Sequence, residues 1–207
     1  MLNVAGRIAA TEAEGPGIRH AIWLQGCPLR CEGCCNPAMQ PFAPATPMSV
    51  SEVVAEIIGT PGIEGVTFLG GEPFAQAEPL AEVARAVRER DLSVLVFSGY
   101  TLEELRRATG PGWIALLAAT DVLVDGRYLR GAPSPLRFVG SANQRVHALS
   151  PRGAVLARGF ESGPDVVEVR IEGALVTVNG TPGAPDLSRA PEGGRGSGRG
   201  TLRSPPR

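Results

Sequence analysis

Four cysteines, the whole complement of this 207-residue chain, fall inside Gly26-Cys27-Pro28-Leu29-Arg30-Cys31-Glu32-Gly33-Cys34-Cys35-Asn36-Pro37. Cys27, Cys31 and Cys34 have C-x3-C-x2-C spacing, in a loop too short to scatter three thiolates. Soft sulfur donors select zinc, copper(I) or an iron–sulfur cluster. A structural zinc takes four closed ligands, usually two C-x2-C pairs or a Cys/His set far apart in sequence. No second pair exists here, and His20 and His147, the two histidines, stand at no ligand spacing from the cysteines. A four-iron cluster on three thiolates keeps one iron free of protein and open to a small molecule. Cys35, next to Cys34 in an extended loop, is expected to point its side chain the other way. The expected metal ligands are therefore Cys27, Cys31 and Cys34.

The loop must be held by what surrounds it. It follows an apolar run, Ala21-Ile22-Trp23-Leu24, that reads as a buried strand from about residue 18 to 25, and an earlier edge strand is expected over residues 2–10. Residues 37–47 carry four prolines and read as an irregular connection. Ser49 and Glu52 form a capping-box pattern ahead of Val50, Val53, Val54, Ile57 and Ile58 at helical spacing. Gly65 to Leu69 is the next strand, ending in Gly70-Gly71-Glu72, and Pro79 opens a second amphipathic helix. Leu92 to Phe97 is a third strand, Thr101 and Glu104 cap a third helix, Trp113 to Ala119 is helical, and Val122 to Val124 is a fourth strand.

Apolar strands alternating with amphipathic helices imply a parallel sheet. The glycine-rich and polar stretches all follow strands, so they share the rim where such sheets place their chemistry. The expected fold is α/β: a partial, open TIM-like (β/α) barrel over residues 1–150. A β-hairpin extension over 151–179 and a disordered Gly/Pro/Ser/Arg tail over 180–207 follow it.

C-x3-C-x2-C is the signature of the radical S-adenosylmethionine superfamily, and further motifs resemble its small glycyl-radical-enzyme activases. They are Gly15-Pro16-Gly17-Ile18-Arg19, Gly70-Gly71-Glu72-Pro73, Ser98-Gly99-Tyr100-Thr101, the run Asp121 to Gly126, and the run Gly140 to Val146. In this order over residues 15–147, they are most similar to the anaerobic ribonucleoside-triphosphate reductase activating family. The resemblance implies a 4Fe-4S cluster on Cys27, Cys31 and Cys34, whose open iron chelates S-adenosylmethionine. One electron then cleaves the sulfonium to give a 5′-deoxyadenosyl radical that takes hydrogen from the substrate.

It further implies that Gly70, Gly71 and Glu72 hold the methionine end, and that Gly33 and Cys35 line the site through their backbone. Ser98 would touch the sulfonium or ribose, or simply turn the chain into the Thr101-capped helix. Asp125 would bind ribose or the substrate backbone. Asp121 reads as a turn residue, Asn143 and Gln144 as partner-facing or loop-fixing amides, and His147 as a packing residue. The implied partners are a glycyl-radical enzyme such as anaerobic ribonucleotide reductase, with flavodoxin or ferredoxin as electron donor. Two features depart from the family pattern. Cys35 stands where an aromatic residue is usual, and the hairpin and tail exceed the minimal activase.

Composition excludes other classes. Lysine is absent, all 20 basic residues are arginine, and the net charge of −1 gives no basic field for nucleic acid. No run of apolar residues has the length of a membrane span and no basic-then-apolar leader is present, so a cytoplasmic location is expected. Clustered thiols fit that reducing compartment. Two other readings share these residues: a radical enzyme acting on a peptide or natural product, and an iron–sulfur electron-transfer or metal-binding module.

Overall fold

The computed structural model describes residues 1–161, 166–173 and 175–180; most of the expected tail over 180–207 lies outside them. A seven-stranded mixed sheet forms the centre. Its strands are β1 (Leu2–Thr11), β2 (Arg19–Leu24), β3 (Thr46–Met48), β4 (Gly65–Gly70), β5 (Ser93–Phe97), β6 (Val122–Asp125) and β7 (Arg145–Ala148), in the order β3-β1-β2-β4-β5-β6-β7. The four inner strands β2, β4, β5 and β6 are parallel; β1 and β7 pair antiparallel with β2 and β6, and β3 pairs antiparallel with β1. The sheet is open.

The helices form where local chemistry starts and stops them. α1 (Val50–Gly59) opens on Ser49, whose hydroxyl accepts from the Glu52 N–H while Glu52 reaches back to the Ser49 N–H. α3 (Leu102–Arg107) opens on the same device, with Thr101 and Glu104. α2 (Ala77–Arg88) starts two residues before the expected Pro79, after a 3₁₀ turn over Pro73–Gln76. Proline costs little in a first helical turn, where the N–H groups have no partner in any case. α4 (Pro111–Ala119) precedes β6, and α5 (Pro151–Leu156) follows β7.

Alternation gives the parallel strands two different faces. Ile22, Leu24, Val66, Phe68, Val94, Val96 and Leu123 pack into one core with Val53, Ile57, Leu80, Val83 and Leu116 of the helices. The other face carries Arg19, Ala21 and Trp23 of β2, Thr67 and Leu69 of β4, and Leu95 and Phe97 of β5. Its far end is covered by Phe138 and Val139 of the β6–β7 connection and by Phe160, which meets Phe138 edge-on at 5.8 Å.

Arg19 fills the N-terminal end of that second face. Its side chain is fully buried, with Nε donating to Thr67 Oγ1 at 2.7 Å, Nη1 to Ser93 Oγ at 3.1 Å, and Nη2 to the Val66 and Ser93 carbonyls at 2.6 and 3.1 Å. Burial lowers its pKa to about 10, so the guanidinium stays charged at neutral pH. Saturation of its donors makes the buried cation tolerable.

Three elements differ from the sequence expectation. β3 occupies the end of the proline-rich connection, while β7 and α5 lie where no regular structure is expected. The hairpin is present as β8 (Val167–Glu172) and β9 (Leu175–Gly180), an antiparallel pair.

Candidate active site

The C-terminal ends of β2, β4, β5 and β6 open onto one cavity of about 1200 Å³. Cys27, Cys31, Gly33, Cys34 and Cys35 line it after β2, Gly70, Gly71 and Glu72 after β4, Ser98 and Gly99 after β5, and Gly126 after β6. The expected rim is thus assembled around a single space. Trp23, Leu69 and Phe97 give it an apolar floor.

The cysteine loop is held by backbone bonds at both ends. The Gly26 and Cys27 N–H groups donate to the Met39 and Gln40 carbonyls at 2.8 and 2.9 Å, and the Glu72 N–H donates to the Gly26 carbonyl at 2.9 Å. Gly33 turns the loop at φ +69°, and Arg130 lies where a side chain on Gly33 would stand. Cys35 is exposed and lines the same cavity as Cys34. The adjacent Cys35 thiol and the Asn36 N–H, 3.3 Å from Cys34 Sγ, draw the Cys34 thiol down to about 6, and the neighbouring Cys34 sulfur pushes the Cys35 thiol up. Burial raises the Cys27 thiol.

The diglycine has a tighter cause than ligand approach alone. Gly70 sits at φ +98°, and a Cβ there would meet Trp23 Cα at 2.8 Å. A Cβ on Gly71 would stand 2.4 Å from the Gly26 carbonyl oxygen. The pair therefore lets the β4 end close on the base of the cysteine loop. Glu72 follows, 1% exposed, its Oε1 accepting from the Phe74 N–H at 2.9 Å and Ser98 Oγ at 3.0 Å, and its Oε2 from the Gly99 N–H at 2.9 Å. Burial raises its pKa to about 7 against these donors. Ser98 also accepts from the Tyr100 N–H at 3.1 Å, so its hydroxyl both supports Glu72 and turns the chain.

Asp125 does not line the cavity. It is fully buried, and its Oδ2 accepts from the Leu102 N–H at 2.6 Å and Arg145 Nη2 at 2.7 Å. His147 Nε2 stands 2.9 Å from the same oxygen, as a close polar contact without hydrogen-bond alignment. Burial opposes ionisation, but the Arg145 and Leu102 bonds outweigh it and hold the carboxyl below its ordinary value. Asp121 acts as a turn residue, accepting from the Val94 N–H at 2.9 Å and Ser150 Oγ at 2.5 Å. Asn143 and Gln144 fix a loop: they donate to the Arg127 and Gly126 carbonyls at 2.8 and 2.9 Å.

Several lining residues carry no motif. Glu14, 9% exposed, has a carboxyl raised to about 7 by burial, and Tyr128 and Arg130 come from the β6–β7 connection. Residues 176–180 of β9 line the cavity too. Alternation marks the hairpin in the sequence, but nothing there says that it folds back on the site.

Among the described residues, no three His, Cys, Asp or Glu side chains close on a single ion. A cubane asks for something else. Each iron takes one thiolate, so its sulfurs stand wider apart than those around one metal. Three thiols on one cavity wall, soft donors beside a buried carboxylate, fit that group.

The open α/β sheet with a three-thiol loop on its C-terminal rim defines a cluster-binding protein whose cavity has room for a further ligand. The chain belongs to the 4Fe-4S single cluster domain family, whose model matches residues 13–147, and within it to the radical S-adenosylmethionine glycyl-radical activases. It is similar to the anaerobic ribonucleoside-triphosphate reductase-activating protein of Vibrio cholerae, with 30% identity over 142 residues, 64% of this chain and 89% of that one. The protein of the same name from Salmonella typhi is 32% identical over 144 residues, 65% of this chain and 91% of its own. The pyruvate formate-lyase-activating enzyme of Listeria monocytogenes is 37% identical over 91 residues, 40% and 37% of the two chains. The chain is accordingly an enzyme whose cofactors are a 4Fe-4S cluster and S-adenosylmethionine. Among the described residues, no helix is long and apolar enough to cross a membrane.

Proposed function

We propose that this enzyme installs a glycyl radical on an anaerobic ribonucleotide reductase, by hydrogen abstraction from a glycine Cα. The observation that carries the reading is the convergence of Cys27, Cys31, Cys34 and the Gly70-Gly71-Glu72 turn on one cavity. Relatives matched over most of their length are named for activating that reductase. In this reading the sheet and its crossovers, residues 1–150, form a partial (β/α) barrel with the hairpin as its extension.

Cys27, Cys31 and Cys34 would hold the cluster. Bound together and given one electron, the cluster and S-adenosylmethionine supply the hydrogen-abstracting chemistry. Glu72, held by three donors, presents a carboxylate to the cationic amino group of the methionine end. Gly33 and Cys35 offer backbone to the same ligand, and Ser98 acts by fixing Glu72. Asp125 would serve as the clamp of β6 on α3 and β7, through the Leu102 N–H and Arg145. Trp23, Leu69 and Phe97 keep water from the reacting centre. Flavodoxin or ferredoxin suits the electron donor, and a reducing cytoplasm suits four free thiols.

The test is anaerobic turnover with the reductase deuterated at glycine Cα. Deuterium in 5′-deoxyadenosine and a glycyl electron-spin signal on the reductase are expected. Formation of 5′-deoxyadenosine with neither would point to another hydrogen donor.

A further inference from the structure

The β8–β9 hairpin lies beyond residues 13–147, which the family model matches, yet it is attached to the body by a defined set of bonds. Thr11 Oγ1, at the end of β1, donates to Glu168 Oε2 at 2.8 Å and accepts from Asn179 Nδ2 at 3.0 Å. The Glu12 N–H donates to Glu168 Oε1 at 2.7 Å, and Arg170 donates to the Ala10 carbonyl. Glu168 and Asn179 face each other in the register, as do Arg170 and Thr177, so one polar face of the ribbon makes the attachment. Thr11 is 2% exposed, which shelters these bonds from water.

The way β9 meets the cavity is informative. A strand that turned one face to a space would contribute alternate residues, because successive side chains point to opposite sides. Here five consecutive residues, Val176, Thr177, Val178, Asn179 and Gly180, line the cavity. Among the described residues, β8 contributes none of the lining, so β9 meets the cavity with the edge that faces away from β8. β8 occupies one edge of β9, and among the described residues no strand pairs with the other. A free strand edge presents a row of N–H and C=O groups that takes up an extended peptide. The space is also larger than the roughly 300–1,000 Å³ of an ordinary small-molecule site.

We infer that the free edge of β9 is the binding site for the substrate's own backbone, pairing with the extended segment that carries the reacting glycine. The inference rests on the proposed function and names how that substrate is held. Glycine has no side chain to grip, so a Cα–H can be aimed only through the peptide groups on either side of it. A strand edge on the wall of the cavity supplies that grip, and the Thr11–Glu168–Asn179 attachment fixes where the edge stands. No covalent step is added to the reaction.

The test uses the full-length reconstituted enzyme, S-adenosylmethionine and the anaerobic ribonucleotide reductase of the same organism, with Thr177→Pro and Val178→Pro compared. Neighbouring residues of an antiparallel strand point their N–H groups to opposite edges, so one substitution removes a donor from the free edge and the other removes one from the β8 ladder. The free-edge variant is expected to raise KM for the reductase about tenfold, the loss of one or two backbone hydrogen bonds, without moving KM for S-adenosylmethionine. Unchanged KM for the reductase in both variants would overturn the inference. Should either variant fail to fold, amide exchange on the wild type decides: β9 amides are expected to slow when the reductase is added, and unchanged exchange overturns the inference. A wild type that forms no 5′-deoxyadenosine removes the proposed function itself, a result distinct from a working enzyme indifferent to its hairpin.

Discussion

Ser98 Oγ donates to Glu72 Oε1 at 3.0 Å, joining the ends of β5 and β4 across the cavity wall. With the Gly99 N–H on Oε2 and the Phe74 N–H on Oε1, the carboxylate is aimed before any ligand arrives. Glu72→Gln removes the charge and offers an amide N–H to the Gly99 donor. A charge-assisted hydrogen bond is worth about 1.5–3 kcal/mol, so S-adenosylmethionine affinity is expected to fall roughly ten- to a hundredfold. Equilibrium binding to the cluster-loaded variant checks this, and an unchanged affinity would contradict the role given to Glu72.

Gly71→Ala tests the fit between the β4 end and the cysteine loop. The added methyl would stand 2.4 Å from the Gly26 carbonyl oxygen, a backbone atom that cannot rotate away. Overpacking of this kind costs about 1–3 kcal/mol, here concentrated at the base of the cluster loop. Iron content after reconstitution is expected to fall, together with the denaturation midpoint. A variant that loads iron as the wild type does would show that the two segments separate freely.

Glu14 gives a pH dependence with a definite sign. Its carboxyl rises from 4.5 in the open chain to about 7 when folded, chiefly through burial. The folded protein thus holds that proton more tightly than the unfolded chain. The stabilisation is complete below pH 4.5 and lost as pH rises through about 7, an effect on the order of 3 kcal/mol. In urea denaturation of cofactor-free protein, Glu14→Gln is expected to gain on the wild type between about pH 5 and about pH 8. Parallel profiles would contradict the burial argument.

Arg145 supports a buried anion. It reaches Asp125 through Nε at 3.1 Å and Nη2 at 2.7 Å, and Nη2 also meets Glu103 at 2.6 Å. Asp125 is the buried partner and Arg145 the half-exposed one, so solvent screens part of the interaction. Arg145→Ala is expected to lower the unfolding free energy, because it leaves the buried Asp125 carboxylate without its cation, and to leave S-adenosylmethionine affinity close to wild type. A loss of affinity without a loss of stability would return Asp125 to the ligand site.

These residues also show what the sequence could and could not reveal. The parallel strands were legible because each is a short apolar run, and α1 and α3 because Ser49/Glu52 and Thr101/Glu104 are local signals. The rim followed from the position of each glycine-rich stretch after a strand. β7 was not legible: Arg145 to Ala148 is four residues at a sheet edge, and its placement depends on the Asp125–Arg145 pair, a contact between segments 20 residues apart. The expectation for Cys35 assumed an extended loop, whereas Gly33 turns the chain at φ +69°. Glu14 and β9 join the cavity only through tertiary folding, which no local pattern announces.

The central claim is that the thiols of Cys27, Cys31 and Cys34 hold a cluster at which S-adenosylmethionine is cleaved. Its most direct test is anaerobic reconstitution with iron and sulfide, reduction, and assay of 5′-deoxyadenosine from S-adenosylmethionine, for the wild type and for each cysteine changed to alanine. The account predicts product from the wild type and from Cys35→Ala, and none from Cys27→Ala, Cys31→Ala or Cys34→Ala. A reduced, iron-loaded wild type that leaves S-adenosylmethionine intact would contradict it.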